Sequence, residues 1–379
     1  MIPGGTSTGS KRPAAMFGAH PGPRRMTRSA GCRVWDEAGR EYIDTTMALG
    51  AVALGYGHPA VVDAVTRAVR DGGVGPLPPV HEERLAEKLR MWVPGAEAVR
   101  FLKTGAEAVA AAVRLARVYT GRDAVITCGY QGWLDWCRDE PGVPAAVRTL
   151  RTKVAFNDVA GLERAVMEVD GLAAIVVEPV VEAAPERAWL DALRRVADDC
   201  GAVLVFDEIK TGIRFGPGGA AARYGGRPNL VVLGKALGNG LPIAAVTGPR
   251  DLMEAAERTW ISSTLATEYV ALAAAEAVLD TAARHKVPEA IRAAGARFMR
   301  GLTRLAERHA GIVTGVRGVP ELCFLTFRDD DTSAAVASAA TARGLIFKRS
   351  AYNFMSLAHD DATVDTALER LDAALGAQA

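Results

Sequence analysis

Lysine is scarce in this chain, eight residues against thirty-seven arginines, and one of the eight, Lys235, sits at the end of the apolar run "NLVVLGK". A loop built on Gly238, Gly240 and Pro242 follows it. Glycine removes the side chain that would hold another body away from the backbone. A lysine desolvated in such a place has a lowered pKa and becomes a nucleophile able to form a Schiff base with a carbonyl, which a guanidinium cannot do at neutral pH. Asp207 closes a second apolar run, "AVLVFDEI", with Glu208 next to it, and Glu178 closes a third, "AAIVVEPVV". A buried carboxylate is costly unless a cation or several donors meet it, so either acid alone also reads as a helix cap or an ion pair. Strands that deliver acids and a lysine to one edge describe a site. That set asks for a ligand with an aldehyde and a protonatable ring nitrogen.

"FLKTGAEAVAAAVRLA" supplies a place for a phosphate, with Thr104, Gly105 and Ala106 opening a long helix whose first amides and dipole favour an anion. Phosphate, aldehyde and ring nitrogen together describe pyridoxal 5'-phosphate. Two nucleotide-binding readings of the glycines fail on spacing. In "NLVVLGKA", Asn229 and Ala236 occupy places where a P-loop needs Gly and Ser or Thr; in "GGTSTGSK", Ser10 follows Gly9 where Lys is needed. A nicotinamide-type GxGxxG is absent.

The elements that position these residues alternate. Helix-like stretches such as "EAVAAAVRLARVYTG" and "LDALRRVADDCG" separate short apolar runs suited to strands buried on both faces. The pattern predicts an α/β fold with a largely parallel sheet wrapped by helices, and ligands at the carboxyl ends of its strands. "CRVWDEAGREYIDT" reads as a hairpin around Ala38 and Gly39, and short strands return after about Lys286 in "ELCFLTFRD" and "GLIFKRS". The expected organisation is a small domain built from 1–52 and 286–379, beside a large domain at 53–285.

A net charge of +1 gives no electrostatic footprint for nucleic acid or an anionic membrane. Cys32, Cys128, Cys137, Cys200 and Cys323 form no CxxC pair and no zinc spacing, so no metal site is expected. They suit reduced thiols in a cytoplasmic protein. The opening "MIPGGTSTGSKRPAAMFG" has no apolar core of a signal peptide, and no segment reaches the length of a membrane span.

Taken together, "VFDEIKTGIRFG", "LGKALGNGLP", "KTGAEAVAAAVRLARVYTGR" and "GYQGWLDW" resemble the class III, fold type I pyridoxal phosphate aminotransferases, in particular the glutamate-1-semialdehyde aminomutase branch. The resemblance runs from about Ile2 to the end of the chain. It implies a seven-stranded, mainly parallel sheet sandwiched by helices, with a small α+β domain from both chain ends. It also implies that Lys235 holds the cofactor covalently and that Asp207 pairs with the ring nitrogen. Ile209 and Tyr130 would flank the ring, Gly105 and Ala106 would donate to the phosphate, and Glu178 would lie near the cofactor oxygen. Thr264 matches a threonine that reaches the phosphate of the neighbouring subunit, which implies a homodimer.

The activity implied is transfer of an amino group from an amino acid to an aldehyde or ketone, with oxidised sugars or cyclitols as acceptors suggested by the branch. An aminomutase, another reaction on the same cofactor (racemase, decarboxylase, dehydratase) and a non-catalytic cofactor-binding protein are the alternatives. Ser10, Lys11, Trp35, Trp133 and Glu268 are candidate substrate contacts, with Arg349 further out. The chain departs from the family in carrying Gln131 where histidine is common and Lys210 where many members are non-basic; Lys210, a second lysine near the cofactor, either touches substrate or points to solvent, and solvent is the expectation. The short stretch between Trp136 and Val147 suggests a reduced gate over the site.

Overall fold

The computed structural model describes residues 2–378, and the chain divides into two units, Met1–Pro59 with Lys286–Ala379, and Ala60–His285. In the first unit, β1 (Met26–Ala30), β2 (Arg33–Asp36) and β3 (Glu41–Asp44) form an antiparallel meander. The β2–β3 turn folds because Asp36 Oδ1 accepts from the amides of Ala38 and Arg40, both at 2.9 Å, while Gly39 takes a φ of 76°. The segment 53–59 stays with this unit, since the backbone of Tyr56 pairs with Gly31 in both directions, at 2.7 and 2.9 Å.

The second unit holds β4 (Ala98–Leu102), β5 (Ala124–Cys128), β6 (Arg151–Lys153), β7 (Leu172–Val177), β8 (Val203–Asp207), β9 (Leu230–Leu233) and β10 (Ala244–Gly248). They build one seven-stranded sheet in the order β4-β10-β9-β8-β7-β5-β6. Only β10 runs against its neighbours β4 and β9; the other pairings are parallel. The apolar runs are continuous because both faces are covered. Val176, Val205 and Val232 pack under the helix Gly105–Thr120, while Ile175, Val177, Leu204 and Phe206 face Trp189 and Leu193 of the helix Arg187–Cys200.

In the C-terminal part of the first unit, β11 (Val313–Val319) and β12 (Leu322–Phe327) pair antiparallel, and β13 (Leu345–Ile346) adds in parallel to β3. That single parallel pairing, Leu345 opposite Ile43, joins the two ends of the chain in one sheet. Helices Val287–Arg308, Asp330–Ala342 and Asp361–Gly376 cover this unit's core around Phe298, Leu302, Leu325, Phe347 and Leu371.

Candidate active site

The carboxyl edge of the large sheet collects the titratable groups. Asp207 is the last residue of β8 and stands opposite Val232 of β9; Gly234 and Lys235 then leave the sheet. Lys235 takes a φ of +46°, a left-handed conformation that costs a lysine about 1–3 kcal/mol and is tolerated where the surroundings impose it. Asp207 is buried, its Oδ1 accepting from the Ile209 amide at 3.1 Å. Burial, aided by the charge of Glu178, pushes Asp207 up to about 7, against the pull of the Ile209 amide, Lys235 and Lys210. Burial and then the charge of Lys210 draw the Lys235 ammonium below the ordinary lysine value; Asp207 and Glu178 oppose this, and Arg214 adds to it.

Glu178 follows β7 directly. One of its oxygens accepts the Tyr130 amide at 2.9 Å and the other lies 2.7 Å from Nζ of Lys210. The expectation that Lys210 points to solvent is therefore corrected: its side chain is 11% exposed and that of Glu178 5%. The physical reason is the neighbour, because a carboxylate buried at a strand end strongly favours a cation within reach.

Close approaches at glycine lock these segments together. A Cβ on Gly105 would come within 2.5 Å of Ile209 Cδ1, one on Gly129 within 2.6 Å of Glu178 Oε2, and one on Gly132 within 2.6 Å of the Ala106 Cβ. The loop after β5 thus lies on the start of the helix Gly105–Thr120. That helix opens with a reciprocal cap: Glu107 N donates to Thr104 Oγ1 at 3.2 Å and Thr104 N donates to Glu107 Oε2 at 2.8 Å. Its first intrahelical donor is Ala108, so the amides of Gly105 and Ala106 precede the helical ladder. Tyr130 is exposed, its ring 5.7 Å from the guanidinium carbon of Arg138.

Other residues of this unit have separate duties. Gln131 is buried and donates to the Cys128 carbonyl at 2.7 Å, so its amide faces the sheet. Glu208 accepts from Ala220 and Ala221 at 3.0 and 2.7 Å and from the Thr211 hydroxyl, which makes it a brace for the chain after β8. Glu268 caps the helix Tyr269–Arg284 through Val270 and Ala271 and pairs with Lys103. Trp133 and Thr264 are exposed, the latter in the turn at 264–267. Arg214, which sequence reasoning did not single out, is fully buried and acts electrostatically on Lys235. Its signal was present as a cation four residues beyond Lys210 inside an otherwise apolar "GIRFG".

In the first unit, Ser10 and Lys11 line a cleft of about 690 Å³ with Arg24, Arg25 and Arg28. Trp35 stacks under Arg28, whose guanidinium carbon is 4.5 Å from the ring centre. Arg349 is spent internally, donating to the Ala15 carbonyl at 3.1 Å and Ser333 Oγ at 2.8 Å and pairing with Asp330.

The second unit's arrangement suits pyridoxal 5'-phosphate. A buried acid whose charge burial disfavours calls for a cationic partner such as a protonated ring nitrogen, and a lysine whose charge burial disfavours suits an aldehyde. The cradle that a Cβ at 105 would fill lies beside amides suited to a phosphate. The family model "Aminotransferase class-III" matches residues 17–135 and 143–375, and the chain belongs to that family. It is accordingly a pyridoxal phosphate-dependent enzyme, of a family whose reaction takes an amino donor and a carbonyl acceptor. It is 36% identical to the glutamate-1-semialdehyde 2,1-aminomutase of Gemmatimonas aurantiaca, over 99% of this chain and 94% of that one. It is 37% identical to the 2'-deamino-2'-hydroxyneamine transaminase of Streptomyces kanamyceticus, over 93% and 91%. A solved transaminase with PLP bound superposes at a TM-score of 0.90, with 27% identity, covering 100% of this chain and 95% of that one.

Proposed function

We propose that this chain transfers an amino group from an amino acid to an aldehyde or ketone, with Lys235 as the residue that holds the cofactor and carries the proton. The observation that bears this reading is the convergence of Lys235, Asp207 and Glu178 at the carboxyl ends of three adjacent strands. Bound pyridoxal 5'-phosphate supplies an electron-withdrawing ring that makes the α-proton of an attached amine removable. Asp207 would pair with the ring nitrogen and keep it protonated. Lys235 Nζ would take the α-proton of the bound amine and give it back at the carbon on the other side of the linking nitrogen. Ile209 and Tyr130 would flank the ring, and the Gly105 and Ala106 amides would hold the phosphate. Glu178 orients the Tyr130 loop from below.

The likeness to a transaminase named for 2'-deamino-2'-hydroxyneamine supports an acceptor of the sugar or cyclitol kind. Thr264 is assigned to the phosphate of a second copy, and exposed Leu77, Met91 and Trp260 are compatible with a homodimer. Five unpaired cysteines favour a cytoplasmic setting. No helix among the described residues is long and apolar enough to cross a membrane.

The second reading, an aminomutase, draws on 36% identity across nearly the whole chain. Incubation with an amino donor alone tells them apart. Stoichiometric pyridoxamine phosphate with a released keto product supports transfer; catalytic isomerisation of the donor without keto product rejects it. Borohydride reduction and peptide mapping test the site itself, and a label on any lysine but Lys235 overturns it.

A further inference from the structure

The ion pair between Lys210 and Glu178 lies inside the site and spans its parts. Glu178 follows β7, Lys210 lies in the turn after β8, and the second carboxylate oxygen holds the amide of Tyr130 in the loop after β5. One carboxylate therefore ties three strand ends together. A buried pair of this kind is weak evidence for stability, because apolar residues of similar size often do as well. What an apolar pair does not supply is charge, and the charged groups that act on Lys235 are Lys210, Asp207, Glu178 and Arg214.

We propose that Lys210 is a positioning residue that holds Glu178 against the Tyr130 amide and sets a fixed positive charge within the site that Lys235 enters. Two effects follow from removing it, and they share a sign. The like charge beside Lys235 disappears, and Glu178 loses its cation and turns its charge on Lys235 instead. Both return the proton to Lys235. The short, point-like ammonium of lysine fits this role beside a single carboxylate oxygen.

The proposal rests on Lys235 being the reactive lysine, but its test needs no turnover. The full chain, freed of cofactor, is labelled with limiting acetic anhydride across pH 6 to 10.5 (roughly the span from well below to the ordinary lysine value), and acetylation of Lys235 is read by peptide mapping. In Lys210→Met the midpoint for Lys235 is expected to rise by about one pH unit or more, and Lys210→Arg restores it. An unchanged or lowered midpoint in Lys210→Met overturns the proposal. If that variant does not fold, Glu178→Gln decides: with its attraction gone and Lys210 in place, the Lys235 midpoint falls, and a rise overturns the idea. Hydrogen exchange at the Tyr130 amide adds a readout of position, with protection expected to drop about tenfold in Lys210→Met; full protection rejects the orienting role. A failure of the Lys235 assignment shows separately, as borohydride label on another lysine.

Discussion

Asp207 stands opposite Val232 across the β8–β9 ladder, three residues before Lys235, so acid and lysine leave the sheet side by side. Each disfavours its own charge through burial and favours the other's through attraction. The balance can be shifted by mutation, pH or cofactor.

Lys235→Ala is expected to abolish the visible band of lysine-bound cofactor and turnover together, while the far-ultraviolet circular dichroism stays unchanged. Lys235→Arg does the same, because a guanidinium keeps its proton. Absorption spectra of the purified variants check this, and a normal band in either contradicts the assignment.

The raised Asp207 makes the cofactor-free enzyme sensitive to pH with a definite sign. Between the unfolded value near 4 and the folded value of about 7, the folded chain holds a proton that the unfolded chain has released. Stability contributed by that proton is complete below the window and is lost as pH rises through it. Thermal melts of the unloaded protein from about pH 5 to 7 should show a fall attributable to this group, absent in Asp207→Asn. The same variant should retain some cofactor yet lose on the order of 10²- to 10³-fold in kcat.

Gly132→Ala places a methyl group where the Ala106 side chain lies, at a φ of +107°. The loop must lift from the helix start. Cofactor affinity is expected to fall, with a stability cost above about 1 kcal/mol, measured by fluorescence titration and denaturant unfolding.

Glu208→Gln separates the brace from its reactive neighbour. The amide has one acceptor oxygen where the carboxylate serves three donors, so a loss of about 1–3 kcal/mol in urea unfolding is expected. Borohydride labelling at Lys235 should persist in the folded fraction.

Much of this architecture can be read from residue order. The apolar runs that end in Glu178, Asp207 and Lys235 are strands because their covered faces leave no room for polar alternation, and their order delivers these residues to one edge. Lys210 carries no such local signal. A lone basic residue after a strand usually reaches water, and its buried position depends on a carboxylate more than thirty residues earlier in the chain. Glu208 shows the same limit: beside Asp207 it looks like a second site acid, yet the turn that returns Ala220 and Ala221 claims it. Long-range pairing of charges has no short-range spacing to announce it.

Tyr130 is carried between Gly129 and Gly132, each pressed against a fixed neighbour, Glu178 on one side and Ala106 on the other. That interval has no slack, so the tilt of the aromatic ring is inherited from the sheet and the helix. The mostly exposed stretch at 133–144 is anchored differently, through Asp139 paired with Arg151 and Lys153 of β6. The backbone of the tyrosine thus answers to the sheet and the helix, while its ring also meets Arg138 from that stretch.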